Sequence, residues 1–119
     1  MPFLEPTLLA ALYRRAALVL MPSEAEGFGL SLIEAMACAT PVLAGDLPVL
    51  REVGAEAAVY CTVADVPAWS AAVVAMLRER AGNPEQWAKR RADAIRRASR
   101  FSWAAYADRC AALYREIAV

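Results

Sequence analysis

The chain has 119 residues, a length that predicts one domain. Its basic and acidic side chains are equal in number, so its net charge does not suggest a nucleic-acid partner. It contains no histidine, the most common general base and metal ligand at neutral pH. Its three cysteines, Cys38, Cys61 and Cys110, form no C-x-x-C pair, so neither a zinc site nor a disulfide framework is expected. With no signal-peptide pattern and no uncharged apolar run of about 20 residues, these features favour the cytoplasm.

Strand patterns and helix patterns alternate in the first half, and helices complete the chain. The predicted elements are, in order, a helix (Thr7–Arg15), a strand (Ala17–Met21), a helix (Leu30–Cys38), a strand (Pro41–Ala44), a helical turn (Pro48–Val53), a strand (Ala57–Cys61) and three helices (about 66–81, 84–100 and Trp103–Ile117). Strands so uniformly apolar are typical of parallel sheets that are buried on both faces. The pattern predicts a single three-layer α/β domain over residues 1–119.

The most informative segment is the loop between the first strand and the second helix. Gly27 and Gly29 allow a close approach of the backbone to a ligand and permit positive φ. The amides of Phe28, Gly29, Leu30 and Ser31 would then point outward at a helix N-terminus, which favours a phosphate group. In open α/β sheets, ligands bind beyond the carboxyl ends of the strands, where this loop lies.

Two carboxylates flank this predicted anion site, Glu26 before the glycines and Glu34 one turn into the helix. Carboxylates repel phosphate but accept hydrogen bonds from hydroxyls, so the pattern suits a sugar joined to a nucleoside through a diphosphate. Simpler interpretations stay open at this point. Ser31 and Glu34 form a capping-box pattern, Glu26 has the position of an ordinary loop carboxylate, and the glycines suit a tight turn without a ligand.

Read with its surroundings, the segment Glu26–Glu34 resembles the Glu-x7-Glu motif of retaining glycosyltransferases with the GT-B fold (family 4, group 1). Further segments resemble other motifs of that family: Leu12–Ala16, Ala17–Ser23, Glu34–Val42, Glu52 and Phe101–Trp103. The likeness covers nearly the whole chain. One departure is Ala39, which stands where the family usually has glycine.

The resemblance implies roles for the matching positions. Glu26, the implied catalytic residue, would contact hydroxyls of the donor sugar. The backbone of Gly27, Phe28, Gly29 and Leu30 would face the sugar and the diphosphate, and Glu34 would accept hydrogen bonds from the ribose. The implied reaction is glycosyl transfer from a nucleotide-diphosphate sugar with retention, without a metal or another cofactor.

The resemblance also implies what lies outside these residues. Family members carry an N-terminal acceptor domain, and an Arg and a Lys that grip the diphosphate on segments absent here, so we expect no transfer by this chain alone. Arg14, Arg15 and Arg51 are expected to be solvated and not to replace those residues. The chain is interpreted as the C-terminal half of a Rossmann-like domain of strand order 3-2-1-4-5-6. Residues 1–4 resemble the end of its third strand.

The missing strands suggest a contact with a second copy of the chain. Ala17–Met21, normally central, would become a sheet edge, and such an edge favours a homodimer or a larger species. The alternative is that the helix Thr7–Arg15 folds over this edge and covers it. A broad basic stripe on the predicted helix 84–100 is interpreted as a solvated face, with anionic lipid at the inner face of a membrane as the alternative: Lys89, Arg90, Arg96, Arg97 and Arg100. Trp69, Trp87 and Trp103 are expected to pack in the core or between helices.

Two other functional classes stay open on sequence alone. The first is a nucleotide-sugar epimerase on the same fold, which would need an acid/base dyad that the residues do not suggest. The second is a non-catalytic module that binds a nucleotide sugar or a partner chain.

Overall fold

The computed structural model describes residues 3–118. The elements are α1 (Pro6–Arg15), β1 (Val19–Met21), α2 (Leu30–Ala37), β2 (Val42–Gly45), α3 (Pro48–Gly54), a 3-10 turn (Ala55–Ala57), β3 (Val59–Cys61), α4 (Val66–Gly82), α5 (Pro84–Ala98) and α6 (Trp103–Ile117). Each helix and strand predicted between residues 7 and 117 is present. Most boundaries fall within two residues of the predicted ones, because Pro, Gly, Asp and Ser delimit the helices.

The three strands form a parallel sheet in the order β1-β2-β3. Leu20 of β1 is aligned with Leu43 of β2, which is aligned in turn with Val59 of β3. β2 is buried along its whole length, as expected of a central strand with helices on both faces. The α/β class with a partial Rossmann-like sheet is therefore confirmed, and β1 is an edge of this sheet.

Apolar side chains pack on both faces of the sheet. On one face, Leu32 and Met36 of α2 and Leu50 of α3 are fully buried against β2. On the other face, Leu43 packs with Met76 of α4 in a separate cluster. The sheet is therefore the middle layer of three.

Helix α5 contributes to both clusters and ties the helices together. Its N-terminal Trp87 joins the α4 face, while Ala94 and Ala98 join the α2 face. Its first turn is capped by Asn83, whose side chain accepts from the amide of Gln86 at 3.1 Å. This packing fixes α2, and hence the loop before it, against the body of the domain.

Several expectations at the periphery were wrong. Leu20 is 48% exposed, so β1 is not buried on both faces, because α2, α3 and α4 pack mainly over β2 and β3. Trp103 is 81% exposed and α6 buries no residue, so this tryptophan does not pack in the core. Phe3 and Leu4 belong to no strand, and residues 1 and 2 of that expected strand end lie outside the described residues.

No helix within residues 3–118 combines the length and the apolar character that crossing a bilayer requires.

Candidate functional site

The loop of residues 22–29 leaves the carboxyl end of β1 and leads into α2. The segment after β2 leaves the same edge of the sheet, and the two backbones are close together. A Cβ atom on Gly45 would lie 2.9 Å from the carbonyl oxygen of Ser23, so a side chain at this position would push the loops apart. No role in the site was predicted for Gly45, although a glycine that directly ends an apolar strand is a signal for such an approach.

Gly29 turns the chain into α2. It is the N-cap residue, with φ of +86° in the left-handed region that disfavours L side chains. A Cβ atom here would lie 2.8 Å from Cδ2 of the buried Leu50. Both facts require glycine, and they confirm the prediction of a positive φ in this loop.

Gly27 differs from Gly29. A Cβ atom at Gly27 would meet no atom within 4 Å, and its φ is not positive. The prediction of positive φ was therefore wrong for this residue. The open space beside its backbone is what the approach of a ligand requires.

The first turn of α2 offers backbone donors without a competing cap. No side chain among residues 3–118 accepts from this turn, while the amides of Leu32 and Ile33 donate to the carbonyl oxygen of Gly29. The amides of Leu30 and Ser31, the first two of the helix, therefore point beyond its N-terminus. A helix N-terminus carries roughly half a positive charge and attracts anions.

Glu26 lies in the exposed part of the loop. Its Oε1 accepts a hydrogen bond from the hydroxyl of Ser23 at 2.8 Å. This bond spans three residues, so it orients the carboxylate without burying it. Glu26 is left accessible to hydroxyl groups of a ligand.

Glu34 is half-buried, and the capping-box interpretation of this residue was wrong. Gly29 occupies the N-cap position, so Ser31 already lies inside the helix and the α2 first turn has no side-chain cap. Glu34 instead accepts a hydrogen bond from the Tyr13 hydroxyl of α1 at 3.3 Å. Burial raises the pKa of Tyr13, and the negative charge of Glu34 raises it further, so this hydroxyl stays a donor at neutral pH.

Phe28 anchors the loop to the end of α5. Its ring meets Phe101 edge to face, with 6.3 Å between the centroids. The guanidinium of Arg97 lies 5.3 Å from the Phe101 centroid and donates to the carbonyl oxygen of Val53 at 2.8 Å. Three segments thus converge beneath the loop, a relationship that the sequence pattern did not reveal.

Arg51 follows the predicted behaviour and lies on the surface near the same sheet edge. Its side chain is 56% exposed, forms an ion pair with Asp46 and covers the Tyr60 ring at 4.6 Å from the centroid. The hydrogen bond from Arg51 holds the pKa of Asp46 below its usual value. The charge of this arginine is therefore already matched by a neighbour.

The basic stripe of α5 is used largely within the protein. Arg90 makes two hydrogen bonds to Glu79 of α4, at 2.8 and 3.0 Å. Lys89 and Arg96 both pair with Asp93 on their own helix. These pairs reduce the free charge that the stripe presents to a lipid surface.

Among residues 3–118, no group of three or more Cys, Asp or Glu side chains is arranged to hold a metal ion.

A glycine loop and an uncapped helix N-terminus at the carboxyl ends of parallel strands form the kind of place where open α/β sheets bind ligands. The family profile described as glycosyl transferases group 1 matches residues 1–100. The chain belongs to this family.

Curated relatives of the chain are transferases. It is 37% identical over 110 residues to the D-inositol 3-phosphate glycosyltransferase of Thermobispora bispora, covering 91% of this chain and 25% of that protein. It is 42% identical over 119 residues to the enzyme of the same name from Mycobacterium bovis, covering 95% of this chain and 24% of that protein. The chain thus spans about a quarter of the length of the relatives it matches.

A solved structure supports the fold. Sucrose-phosphate synthase from Thermosynechococcus elongatus superposes with a TM-score of 0.82 at 30% identity, covering 98% of this chain and 29% of that one. The similarity to a GT-B Rossmann-like domain is therefore established over almost all of the chain. Ala39, which stands where the family usually has glycine, has a φ of +60°, and this explains why glycine suits the position.

Proposed function

We propose that this chain binds the nucleotide-diphosphate sugar donor of a retaining, metal-independent glycosyltransferase. The observation that carries the proposal is the N-terminus of α2, opened by the left-handed Gly29 and flanked by Glu26 and Glu34. Unoccupied amides suit a diphosphate, and carboxylates on either side suit the hydroxyls of two sugars. One site thus offers matching groups for three parts of one ligand.

Each part of the donor has a proposed partner. The backbone of Gly27, Phe28, Gly29 and Leu30 faces the diphosphate and the donor sugar. Glu26, the proposed catalytic residue, accepts hydrogen bonds from hydroxyls of that sugar. Oε2 of Glu34 accepts a hydrogen bond from the Tyr13 hydroxyl, and the carboxylate can accept further hydrogen bonds from the ribose hydroxyls.

The proposed reaction breaks the bond between the anomeric carbon and the diphosphate oxygen and forms a bond to an acceptor hydroxyl on the same face of the sugar. The electron pair of the broken bond leaves on the diphosphate, which takes up the proton of the acceptor hydroxyl. Backbone donors at the α2 N-terminus would stabilise the charge that grows on the leaving diphosphate. Retention and independence from metals rest on the resemblance of the Glu26–Glu34 segment.

The whole protein supplies what these residues lack. Because the chain spans about a quarter of its relatives, we propose that the acceptor binds to a separate N-terminal domain. The names of the relatives make D-inositol 3-phosphate the first acceptor to test, within glycolipid or polysaccharide biosynthesis. We place the protein in the cytoplasm, with peripheral contact at the inner face of the membrane as an extension of this proposal.

For the isolated chain we propose binding without turnover. Positioning of both reactants supplies much of the catalysis in group transfer, and this chain holds one of them. The description as a non-catalytic binding module therefore applies to the chain alone, while membership of a glycosyltransferase family favours transfer over epimerisation for the whole protein.

The experiment compares variants of Glu34 in α2 and of Glu24 in the loop by calorimetric titration with UDP, GDP and ADP. We expect one of these nucleotides to bind with a dissociation constant of about 1 mM or weaker. Glu34→Gln should weaken this binding about fivefold or more, since a hydrogen bond to a charged group is lost. Glu24→Gln, an equal charge change at an exposed loop position, is the control and should bind as the unaltered chain does.

Glu26→Gln is tested with the matching nucleotide sugar, because its proposed partner is the sugar. The affinity gained on adding the sugar to the nucleotide should disappear in this variant. Equal nucleotide affinities for Glu34→Gln and Glu24→Gln, or no binding of any of the three nucleotides, would contradict the proposal.

A further inference from the structure

A cleft lined by arginines lies at the edge of the sheet opposite the candidate site. Its floor is formed by residues just before β1 and β2, namely Ala16, Ala17, Thr40 and Pro41. Four arginines line it: Arg14, Arg15, Arg80 and Arg91. The cleft has a volume of about 90 Å³, larger than the roughly 10–15 Å³ that one water molecule requires. A small polyatomic anion therefore has room to enter.

The positive charge of the cleft has no counterpart in its lining. No Asp or Glu lines the cleft, and within residues 3–118 none of the four arginines forms an ion pair. Elsewhere in the same domain Arg51, Arg90 and Arg96 are each paired with a carboxylate. On a protein without net charge, this local excess concentrates anions.

The arginines come from three different helices. Arg14 and Arg15 end α1, Arg80 lies in the last turn of α4, and Arg91 lies in the middle of α5. Arg91 is fixed by a hydrogen bond from its Nε to the carbonyl oxygen of Ala39 at 3.0 Å, which leaves its terminal nitrogens available. Arginine side chains from three helices thus line one cleft, and their guanidinium groups suit a tetrahedral oxyanion.

A groove with a mixed polar and apolar lining continues from this cleft. It has a volume of about 410 Å³ and shares Arg80, Trp87 and Arg91 with the cleft. The rest of its lining is apolar: Leu77, Ala81, Pro84 and Ala88. A ligand with an anionic head and an apolar or aromatic substituent would contact both.

We propose that the cleft and the groove together form a second binding site, which takes a phosphate monoester bearing an apolar or aromatic substituent. The phosphate lies among Arg14, Arg15, Arg80 and Arg91, and the substituent lies along the Trp87 side of the groove. The planar guanidinium group of arginine can donate two parallel hydrogen bonds to two oxygens of one phosphate, so a phosphate group is the anion that fits these side chains best. A soluble phosphomonoester and the headgroup of a phosphatidic acid share this chemistry. The site is at the amino ends of the strands, so it is separate from the proposed donor site.

The test is an NMR titration of the 15N-labelled 119-residue chain with phenyl phosphate, inorganic phosphate and phenol. Phenyl phosphate should shift the indole N–H signal of Trp87 in a saturable way. It should leave that of Trp69, which donates to the Thr62 carbonyl oxygen, in place. Inorganic phosphate should bind more weakly, because it leaves the groove empty, and phenol should not bind measurably.

A matched pair of variants on α4 tests whether the positive charge of Arg80 contributes to phosphate binding. Arg80→Gln should weaken phenyl phosphate binding about fivefold or more, through loss of a charge-assisted contact. Arg78→Gln removes the same charge from an exposed position that does not line the cleft, and should leave binding unchanged. Arg14→Gln combined with Arg15→Gln repeats the test from α1. An unmoved Trp87 signal, or equal losses in Arg78→Gln and Arg80→Gln, would overturn the proposal.

Vesicles distinguish the two sources of the phosphate group. Vesicles that contain phosphatidic acid should displace phenyl phosphate if the natural ligand is a lipid headgroup, whereas phosphatidylcholine vesicles should not. If phosphatidic acid vesicles do not compete, the bound phenyl phosphate identifies a soluble phosphomonoester as the ligand class. Because UDP, GDP or ADP is expected to act at the Gly27–Leu30 loop, failure of either proposal leaves the other unaffected.

Discussion

The hydroxyl of Tyr13 donates a hydrogen bond to Oε2 of Glu34 at 3.3 Å, and this bond joins α1 to the helix that carries a proposed ligand acceptor. The backbone of Tyr13 is held in turn, because its carbonyl oxygen accepts from the Thr40 hydroxyl at 2.5 Å. Thr40 is buried and lies just before β2. The orientation of Glu34 therefore depends on a chain of contacts that reaches the central strand.

Replacing Tyr13 with phenylalanine tests whether this contact prepares Glu34 for a ligand. We expect nucleotide affinity to fall about two- to fivefold and the free energy of unfolding to fall by about 1 kcal/mol, the usual value of one hydrogen bond. Calorimetric titration and urea unfolding measure the two effects. Tyr114→Phe, at an exposed position on α6, is the control. Unaltered nucleotide affinity in Tyr13→Phe would show that the contact is structural alone.

The two loop glycines give a second prediction, because their surroundings differ. Gly29→Ala should lower the free energy of unfolding by roughly 1–3 kcal/mol, since the left-handed φ and the close Leu50 side chain both oppose a Cβ atom. Gly27→Ala should change stability by less than about 0.5 kcal/mol, because nothing lies within 4 Å of the added atom.

At Gly27 the substitution should weaken ligand binding although it leaves the stability of the chain almost unchanged. The added methyl group projects into the space proposed for the diphosphate, so Gly27→Ala should weaken nucleotide binding in a chain that is still fully folded. Urea unfolding and titration on the same samples separate the effects. A Gly27→Ala chain that binds nucleotide normally would move the proposed ligand away from this backbone.

The order and type of the elements could be predicted because Pro, Gly, Asp and Ser occur where the hydrophobic pattern places the ends of helices and strands. The strand-loop-helix unit around Gly29 was also predictable, since its residues are contiguous. The contacts that decide the state of Glu34 were not. Tyr13 lies 21 residues away from Glu34, and a local S-x-x-E pattern suggested a cap that the left-handed Gly29 rules out.

Contacts between residues far apart in the sequence, and the burial of particular side chains, were equally hard to predict. Arg97 donates hydrogen bonds to the backbone carbonyl oxygens of Glu52 and Val53. Because every residue has such an oxygen, the side-chain pattern does not indicate which one is the partner. Trp103 was expected to pack because it is large and apolar, yet α6 buries none of its residues in this chain. Leu20 was expected to be buried because its strand is apolar, yet burial depends on which helix covers that end of the sheet.

A pH-dependent prediction concerns the ion pair between α4 and α5. The hydrogen bonds from Arg90 hold the pKa of Glu79 below its usual value of 4.5 in the folded chain. The stabilisation is therefore present above pH 4.5 and is lost as the pH falls through the lowered pKa. Glu79→Gln should cost roughly 1 kcal/mol of unfolding free energy at pH 7, since the pair is bidentate and half-buried.

The difference between Glu79→Gln and the unaltered chain should shrink as the pH falls below 4.5. Urea unfolding at several pH values measures this difference. Glu56→Gln, a change at an exposed carboxylate, should have little effect at any of them. A cost for Glu79→Gln that stays the same from pH 7 to pH 3 would show that the ion pair is not its origin.

The edge position of β1 gives a prediction about assembly. Within residues 3–118 β1 pairs with β2 on one side and with no strand on the other, and Leu20 is 48% exposed. An exposed apolar edge favours pairing with another chain. We expect a homodimer at micromolar concentration, through residues 17–21 or through exchange of the N-terminal segment, measurable by light scattering.

Charge on the edge strand tests this arrangement. Leu20→Lys should shift the dimer toward monomer, while Leu113→Lys, the same change at an exposed position of α6, should not. A clean monomer with slow amide exchange along Val19–Met21 would mean that the edge is already covered.

The most direct test of the account is an amide NMR titration of the chain with whichever of UDP, GDP or ADP binds. The account predicts that the amides of Gly27, Gly29 and Leu30 shift first and saturate together, because they surround the N-terminus of α2. Shifts confined to the amides of α5, with those of the Gly27–Leu30 loop unmoved, would contradict it.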